Sequence, residues 1–521
     1  MTGFAILLVG AALAHAIARW TRIPVIPFLL IAGIALGRLG LLPAATLQDG
    51  LVLGLTFLLF VSGTELSPGR VREQRAAAVR VGVTQFLVLG GVGLSAAYLL
   101  GFDLLTSVYF GLALAASSTL LIVRLLQQRK QLFEPFGRLV VGVLLLQDLA
   151  IILFIPLLAG APSGVLAVVA GFAGTSALVV LAYLCLRWVA PRLVVFRAEP
   201  ETLLLLVLGF LFVFVGLADL LALPLAAGAF LAGVALSPFP VRGIIRGQLS
   251  SVADFFTAIF FLSLGGQLIG IGVRELLLAG VFALLVLLVT PPQVTAIALR
   301  TGFSTRPAVE SGLLLAQTSE FSLVLALHGL VVGQISQEVF SILTLVTVAT
   351  MMLTPFMATE RTVRWLMRFG PRHSKARAQQ RPSGHILLLG CGTGGMPLLG
   401  SLLDAGEQVV VIDDDPEVVK RVRRRGVTCI RGDAAAAEVL TAAGAEHARL
   451  ISSTIRRPRD NEALLGMARG VPVLVRVFED EDAEWVDELG GTPILYSAAA
   501  GEDFLDWFAT HVRATPPEVV A

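Results

Sequence analysis

Apolar stretches long enough to cross a bilayer recur from Gly3 to Met357. Spanning a membrane takes about 20 apolar residues per helix, and inside lipid only helices or closed barrels satisfy their own backbone. The stretches are Gly3–Ala18, Ile23–Leu39, Gly50–Gly63, Val81–Leu100, Leu105–Leu126, Leu139–Leu158, Val165–Val189, Thr202–Leu217, Leu221–Leu236, Val252–Ile269, Leu276–Leu299, Val309–Leu330 and Val339–Met357. They number about thirteen, several of them short for a tilted helix. The chain is 56% hydrophobic and 15% charged, against about 25% charged in soluble domains, so most of it belongs in lipid. The first stretch lacks the basic lead of a signal peptide, and so many later spans favour its retention as a helix.

Arginine and lysine gather in alternate loops. They fall around Arg19, Arg70–Arg80, Arg124–Arg138, Arg187–Arg197, Arg242–Arg246, Arg300–Arg306 and Arg361–Arg364. The loops between hold little beyond Arg38 and Arg274. Basic loops remain cytoplasmic, which places the N-terminus outside and the C-terminus inside, as an odd number of spans requires. The formal net charge of +2 gives no case for nucleic acid, and the three cysteines include no CxxC, so neither a disulfide framework nor a metal site is indicated.

Leu139–Leu158 is apolar except for Gln147 and Asp148 near its centre. A carboxylate at bilayer depth must face a protein interior or a wet cavity, where it either pairs with a neighbouring helix or serves as an ion or proton site. Asp148 can bind a proton or a cation, and competition for one charge is the minimum chemistry of antiport. Gln147 offers a neutral oxygen of the kind hard cations accept. Two other spans look interrupted, one by Ser117, Ser118 and Thr119, the other by Gln317-Thr318-Ser319-Glu320. Such residues also serve as ordinary small contacts between helices. These two spans, however, lie seven apart, and an odd offset reverses direction through the membrane, as in the inverted repeats of secondary transporters. Unwound helices there would line a cavity, with Ser117, Ser118 and Thr119 adding hydroxyls. Glu320 is a second buried acid, either functional or structurally paired.

Residues 1–360 are therefore expected to form a membrane domain, 361–383 a linker, and 384–521 a soluble domain. Six short apolar runs alternate with helical segments from Gly384 onward, which indicates a doubly wound parallel sheet. The fold class is thus a polytopic all-α membrane domain with inverted repeats plus a Rossmann-like α/β domain. Gly390, Gly392 and Gly395 fit G-x-G-x-x-G between a strand and a helix, with Thr393 inside the loop and Asp413 ending the next strand. This pattern lets a phosphate approach the backbone at a helix N-terminus while the acid takes ribose hydroxyls. Asp433 ends the third strand, where a base or ribose edge would lie. A Rossmann-like domain that has lost its nucleotide is the alternative. No second half capable of holding another substrate follows, which argues for sensing rather than catalysis.

Several segments resemble Kef-type cation–proton antiporters: LLLQDLAIILFIPLL around Gln147-Asp148, SGTEL at Ser62, LALAASSTLL at Leu112, LAAGAFLAGVALS at Leu225 and AQTSEFSLVL at Ala316. GCGTGG, VVVIDDDP and RGDA resemble the N-lobe of the regulator of potassium conductance, also called TrkA-N. The resemblance implies an NhaA-like fold, a homodimer in the cell membrane, and exchange of potassium ahead of sodium for protons. It implies Asp148 as carrier, with Gln147, Ser117, Ser118 and Thr119 near it. It also implies regulation by AMP, NAD(H) or a related adenine nucleotide. A nucleotide-gated potassium channel is the rival reading, but no TVGYG-like filter is present. Many relatives carry a lysine in the span where this chain has Pro291-Pro292, and Gly-Gly where it has Thr318-Ser319.

Overall fold

The computed structural model describes residues 2–495 apart from 22–24, 66–74, 130, 133, 161–163, 190, 191, 193–199, 238–240, 269, 270, 304, 368–382, 393, 456, 457 and 469. Thr393, most of the expected linker and the chain beyond 495 lie outside the described residues. The chain divides into two compact units, Met1–Thr301 with Ala308–Trp365, and Gly302–Pro307 with Leu366–Ala521.

The membrane unit is helical throughout. Its helices are α1 (Thr2–Thr21), α2 (Val25–Arg38), α3 (Ala44–Glu65), α4 (Arg75–Leu99), α5 (Leu104–Ala115), α6 (Thr119–Gln128), α7 (Pro135–Gly160) and α8 (Val165–Trp188). They continue with α9 (Pro200–Leu220), α10 (Leu225–Ala235), α11 (Val241–Gln267), α12 (Val273–Thr301), α13 (Thr305–Leu314), α14 (Glu320–Val331), α15 (Gln337–Met357) and α16 (Glu360–Met367). Among the described residues nine spans are long and apolar enough to cross a membrane, and α2, α10 and α14 are shorter apolar helices. With α11 these correspond one for one to the expected stretches. Large apolar side chains are exposed along the long spans, Leu205, Leu277 and Leu284 among them.

Both expected interruptions are present. The chain leaves the helix between α5 and α6, and again between α13 and α14. In each case a serine with extended backbone opens the following helix. Ser118 accepts from Leu121 N–H, and Ser319 accepts from Phe321 N–H with Ser322 completing a capping box. These hydroxyls satisfy backbone donors that a new helix start leaves free.

Packing separates the unit into two bundles. One contains α1, α2, α3, α9, α10 and α11; the other contains α4 to α7, α12, α14 and α15, with α13 held on α12 through Gly312 and Ala308; α8 bridges α7 and α10. Each bundle draws on both halves of the chain. The first is closed by two backbone crossings, α2 on α11 and α3 on α10. A methyl group at Gly33 would stand 2.1 Å from the Leu262 carbonyl oxygen, and one at Gly233 would stand 2.1 Å from that of Phe60. Across the same crossings, Gly265 meets the Leu30 oxygen and Gly63 the Phe230 oxygen, each at 2.3 Å. The contacts match pairwise, and Ala32-Gly33-Ile34-Ala35-Leu36 recurs as Ala232-Gly233-Val234-Ala235-Leu236. The inverted repeat is therefore visible in side chains as well as in span order.

The soluble unit is a six-stranded parallel sheet of order β3-β2-β1-β4-β5-β6. Its strands are β1 (Ile386–Leu389), β2 (Val409–Asp413), β3 (Thr428–Arg431), β4 (Leu450–Ser453), β5 (Val473–Val477) and β6 (Thr492–Leu495). The helices are α17 (Gly395–Asp404), α18 (Pro416–Arg424), α19 (Ala437–Ala442), α20 (Glu462–Met467) and α21 (Asp480–Glu488). Alternate strand residues feed two cores. Leu387, Leu389, Val410 and Ile412 pack with α19, α20 and α21. Leu388, Val409 and Val411 pack with α17 and α18. The strand order reverses beside β1, the position at which such sheets bind ligands.

Candidate ion site and nucleotide site

Asp148 lies on α7, fully buried. Its Oδ2 accepts from Thr119 Oγ1 at 2.6 Å, while its Oδ1 has no protein partner. Glu320 opens α14 and is 2% exposed. Its Oε1 accepts from Ser118 Oγ at 2.5 Å. Among the described residues neither acid forms a salt bridge. Hydroxyls therefore hold both carboxylates. The first break thus brings Ser118 and Thr119 to the two acids.

The two breaks also hold each other. Ser117 Oγ donates to the Leu315 carbonyl at 2.8 Å, and Ser322 Oγ donates to the Ala113 carbonyl. Each serine thus satisfies an acceptor freed where the opposite helix ends. The backbone pairing is likewise matched. Ser117 N–H donates to Gln147 Oε1 at 3.1 Å, and Thr318 N–H donates to Thr350 Oγ1 at 3.1 Å. The chemistry is not matched. The first repeat carries its acid on α7 behind the break, whereas the second carries Glu320 in the break, with threonines on α15. Gln147 already uses its carbonyl oxygen on Ser117, so the oxygen expected to face a cation is engaged by the break. Gln85, buried on α4, also joins this cluster, although sequence alone does not single it out. Its signal is a lone amide in an otherwise apolar run.

In the soluble unit the expected loop follows β1. Gly390 has φ +75°, and a methyl at Gly395 would stand 2.1 Å from the Gly390 carbonyl oxygen, so the tight turn needs glycine at both positions. Gly392 has open space where a side chain would be. Asp413 ends β2, but each of its oxygens already accepts a backbone N–H. Oδ2 accepts from Cys391 N–H at 2.6 Å and Oδ1 from Asp415 N–H at 2.9 Å. Each oxygen retains a second lone pair. Asp433 Oδ1 accepts from Ala435 N–H, and Oδ2 is buried without a partner. The open glycine, the turn and this oxygen fit a nucleotide's phosphate and ribose. Arg476 on β5, which the glycine motif does not include, lies against the loop. A methyl at Gly394 would meet its guanidinium at 1.9 Å, and its Nη2 donates to the Thr454 carbonyl at 2.8 Å. A charged residue within the apolar run VLVRV was the available signal.

Burial pushes Asp413 up from 3.8 to about 6, the two backbone N–H groups offsetting part of the rise. Burial and the neighbouring Asp413 push the Cys391 thiol up to about 11 and Cys429 up to about 12, so both thiols stay protonated and unreactive at neutral pH. The raised Asp413 has a sign that can be measured. Between pH 4 and 6 the folded unit holds a proton that the unfolded chain releases, so stability falls as pH rises through that window. Each pH unit of the window is worth about 1.4 kcal/mol, which limits the drop to about 3 kcal/mol. Thermal denaturation of the soluble unit from pH 4 to 7 should show it, and Asp413→Asn should flatten it.

A many-span bundle with two buried carboxylates beside a pair of helix breaks, joined to a Rossmann sheet, is the architecture of a membrane ion exchanger fused to a nucleotide-fold domain. Residues 4–360 match the family described as sodium/hydrogen exchanger, transmembrane, and residues 386–496 match the TrkA-N domain. The chain belongs to the sodium/hydrogen exchanger family, and it is a multi-pass cation:proton antiporter with a TrkA-N domain. The glutathione-regulated potassium-efflux system protein KefC of Salmonella schwarzengrund is 29% identical over 452 residues, covering 83% of this chain and 72% of that protein. KefC of Salmonella typhi is 29% identical over 453 residues, with the same coverage. Among solved structures, the TrkA-N domain of the inner membrane protein ybaL from Escherichia coli is 25% identical with a TM-score of 0.23, covering 24% of this chain and 97% of that one. The GsuK channel bound to NAD is 20% identical with a TM-score of 0.22, covering 42% of this chain and 41% of that one. The family match favours exchange over the channel considered above.

Proposed function

We propose that the protein exchanges a monovalent cation, potassium ahead of sodium, for protons, with Asp148 as the carrier. The observation that supports this most is the Asp148 carboxylate, fully buried, held by Thr119 on one oxygen and unpartnered on the other. An unneutralised carboxylate is costly in a site away from water. Asp148 must therefore be loaded with a proton or a cation before the site changes sides, and never with both. That requirement couples the two fluxes. Ser117, Ser118, Thr119, Gln147 and Glu320 complete the site, Ser117 and Gln147 by fixing the break. The KefC relatives, whose names specify potassium efflux, support potassium. Residues 1–360 would carry the ions, with the N-terminus outside and the protein a homodimer in the cell membrane. Flux in proteoliposomes under an imposed proton gradient, with potassium and sodium tested separately, decides the reading. Proton movement that neither cation drives would sink it.

We further propose that residues 384–521 bind an adenine nucleotide such as AMP or NAD(H) as regulator. The phosphate would lie on Gly390, Gly392, Thr393 and Gly395, within reach of Arg476, and the ribose on Asp413 and Asp433. A ligand shifts a transporter between states only by binding one of them better. Calorimetry on the segment from Gly384 onward should show binding of AMP, ATP, NAD or NADH. Asp413→Ala should weaken it by about tenfold, the scale of a lost charged hydrogen bond. A folded segment that binds none of the four refutes the sensing role and leaves a dimerisation module.

A further inference from the structure

The Ser117 hydroxyl fixes the orientation of a neighbouring amide. Ser117 Oγ lies 2.8 Å from the Leu315 carbonyl and 3.2 Å from Gln85 Nε2. A hydroxyl has one proton, and a carbonyl oxygen can only accept. The Ser117 proton therefore goes to Leu315, and Gln85 must donate to Ser117 through its nitrogen. This turns Gln85 Oε1 away from Ser117. Gln85 is fully buried, and that oxygen has no protein partner.

Buried polar atoms left unpaired in a native structure call for an occupant. Two more such oxygens belong to residues around Ser117. Asp148 Oδ1 is one, next in sequence to Gln147, which accepts the Ser117 N–H. Gln317 Oε1 is the other, two residues beyond Leu315, which accepts the Ser117 hydroxyl. One anionic and two neutral oxygens are donors of the kind a hard monovalent cation takes, and each belongs to a residue that is, or lies within two positions of, a hydrogen-bond partner of Ser117. Gln147 cannot supply the neutral oxygen as freely, because the break already uses it.

We propose that Gln85 Oε1 is a direct ligand of the transported cation and sets its selectivity. The proposal rests on Asp148 being the carrier. The carboxylate supplies the charge that attracts any cation or proton. The amide oxygen replaces hydration water, a contribution that depends on ion size and that a bound proton does not need. Losing it should therefore affect the cation side of the exchange and spare the proton side.

The test uses the full-length protein in proteoliposomes, with potassium, rubidium and sodium each driving exchange. Gln85→Leu removes both the donor and the acceptor at similar volume. Gln85→Glu keeps an oxygen of the same reach but, when ionised, loses the donor to Ser117. For Gln85→Leu the apparent KM for potassium should rise about tenfold or more, the scale of one lost polar contact, and the potassium-to-sodium rate ratio should change. The pH at half-maximal rate under saturating cation should hold. For Gln85→Glu cation KM should not rise, and selectivity should shift in its own direction. If both variants fold with wild-type KM and rate ratios, the assignment is overturned. If both raise KM alike with the rate ratios unchanged, Gln85 only positions Ser117, and the ligand role is equally overturned. Should Gln85→Leu fail to fold, Gln85→Glu alone decides through the rate ratio. Asp148→Asn in parallel separates the two levels. Full exchange by that variant refutes the carrier itself, whereas its inactivity beside an unaltered Gln85→Leu refutes only the present inference.

Discussion

Asp148→Asn is expected to abolish exchange in a protein that still folds. The amide keeps the shape and leaves an oxygen for the Thr119 hydroxyl, now 2.6 Å from Asp148 Oδ2. It removes the only charge and the only titratable proton at that position. Loss of a group that must carry protons at every turnover should lower the rate by about 100-fold or more. Exchange read from a pH-sensitive dye inside proteoliposomes should fall to that of empty vesicles. Glu320→Gln keeps an acceptor for Ser118 and should slow exchange without abolishing it. The opposite pattern, an active Asp148→Asn and an inactive Glu320→Gln, would exchange the two roles.

The second large effect belongs to the scaffold. Gly33→Ala or Gly233→Ala places a methyl 2.1 Å from a carbonyl oxygen of the crossing helix. The obstacle is backbone on both sides, so no side chain can rotate away. Overpacking of this kind costs about 3 kcal/mol or more. Because the crossings match, the two substitutions should lower thermal stability in detergent by similar amounts. Gly91 and Gly216 have nothing within 4 Å of an added methyl. Gly91→Ala and Gly216→Ala should be neutral or slightly stabilising, by about 0.5 kcal/mol. A Gly233→Ala protein as stable as these controls would show that the crossing yields.

The interruptions were legible because Ser117, Ser118, Thr119 and Glu320 stand out in apolar surroundings, and Asp148 because lipid makes any mid-span carboxylate conspicuous. The sheet was legible from strand alternation and glycine spacing. Pairings were harder to foresee. Gln85 is uncharged and sits alone, and only its bond to Ser117 brings it to the site. Gln147 reads as a neutral oxygen, and sequence does not show that this oxygen also accepts the Ser117 N–H. Asp413 reads as free for ribose because sequence does not show that the Cys391 and Asp415 N–H groups reach it first. Arg476 is far in sequence from the glycine loop and meets it only through the strand order.

The glycine crossings also set a timetable for making the protein. Gly33 and Gly63 are on α2 and α3, and their counterparts Gly265 and Gly233 are on α11 and α10. The ribosome must add roughly 170 to 230 residues before the partners exist, which takes on the order of ten to forty seconds at translation speed. Throughout that interval Gly33 and Gly63 lack the carbonyl oxygens they meet in the folded protein. The two glycine seams of the first bundle thus close late, the α3 seam with α10 and the α2 seam with α11.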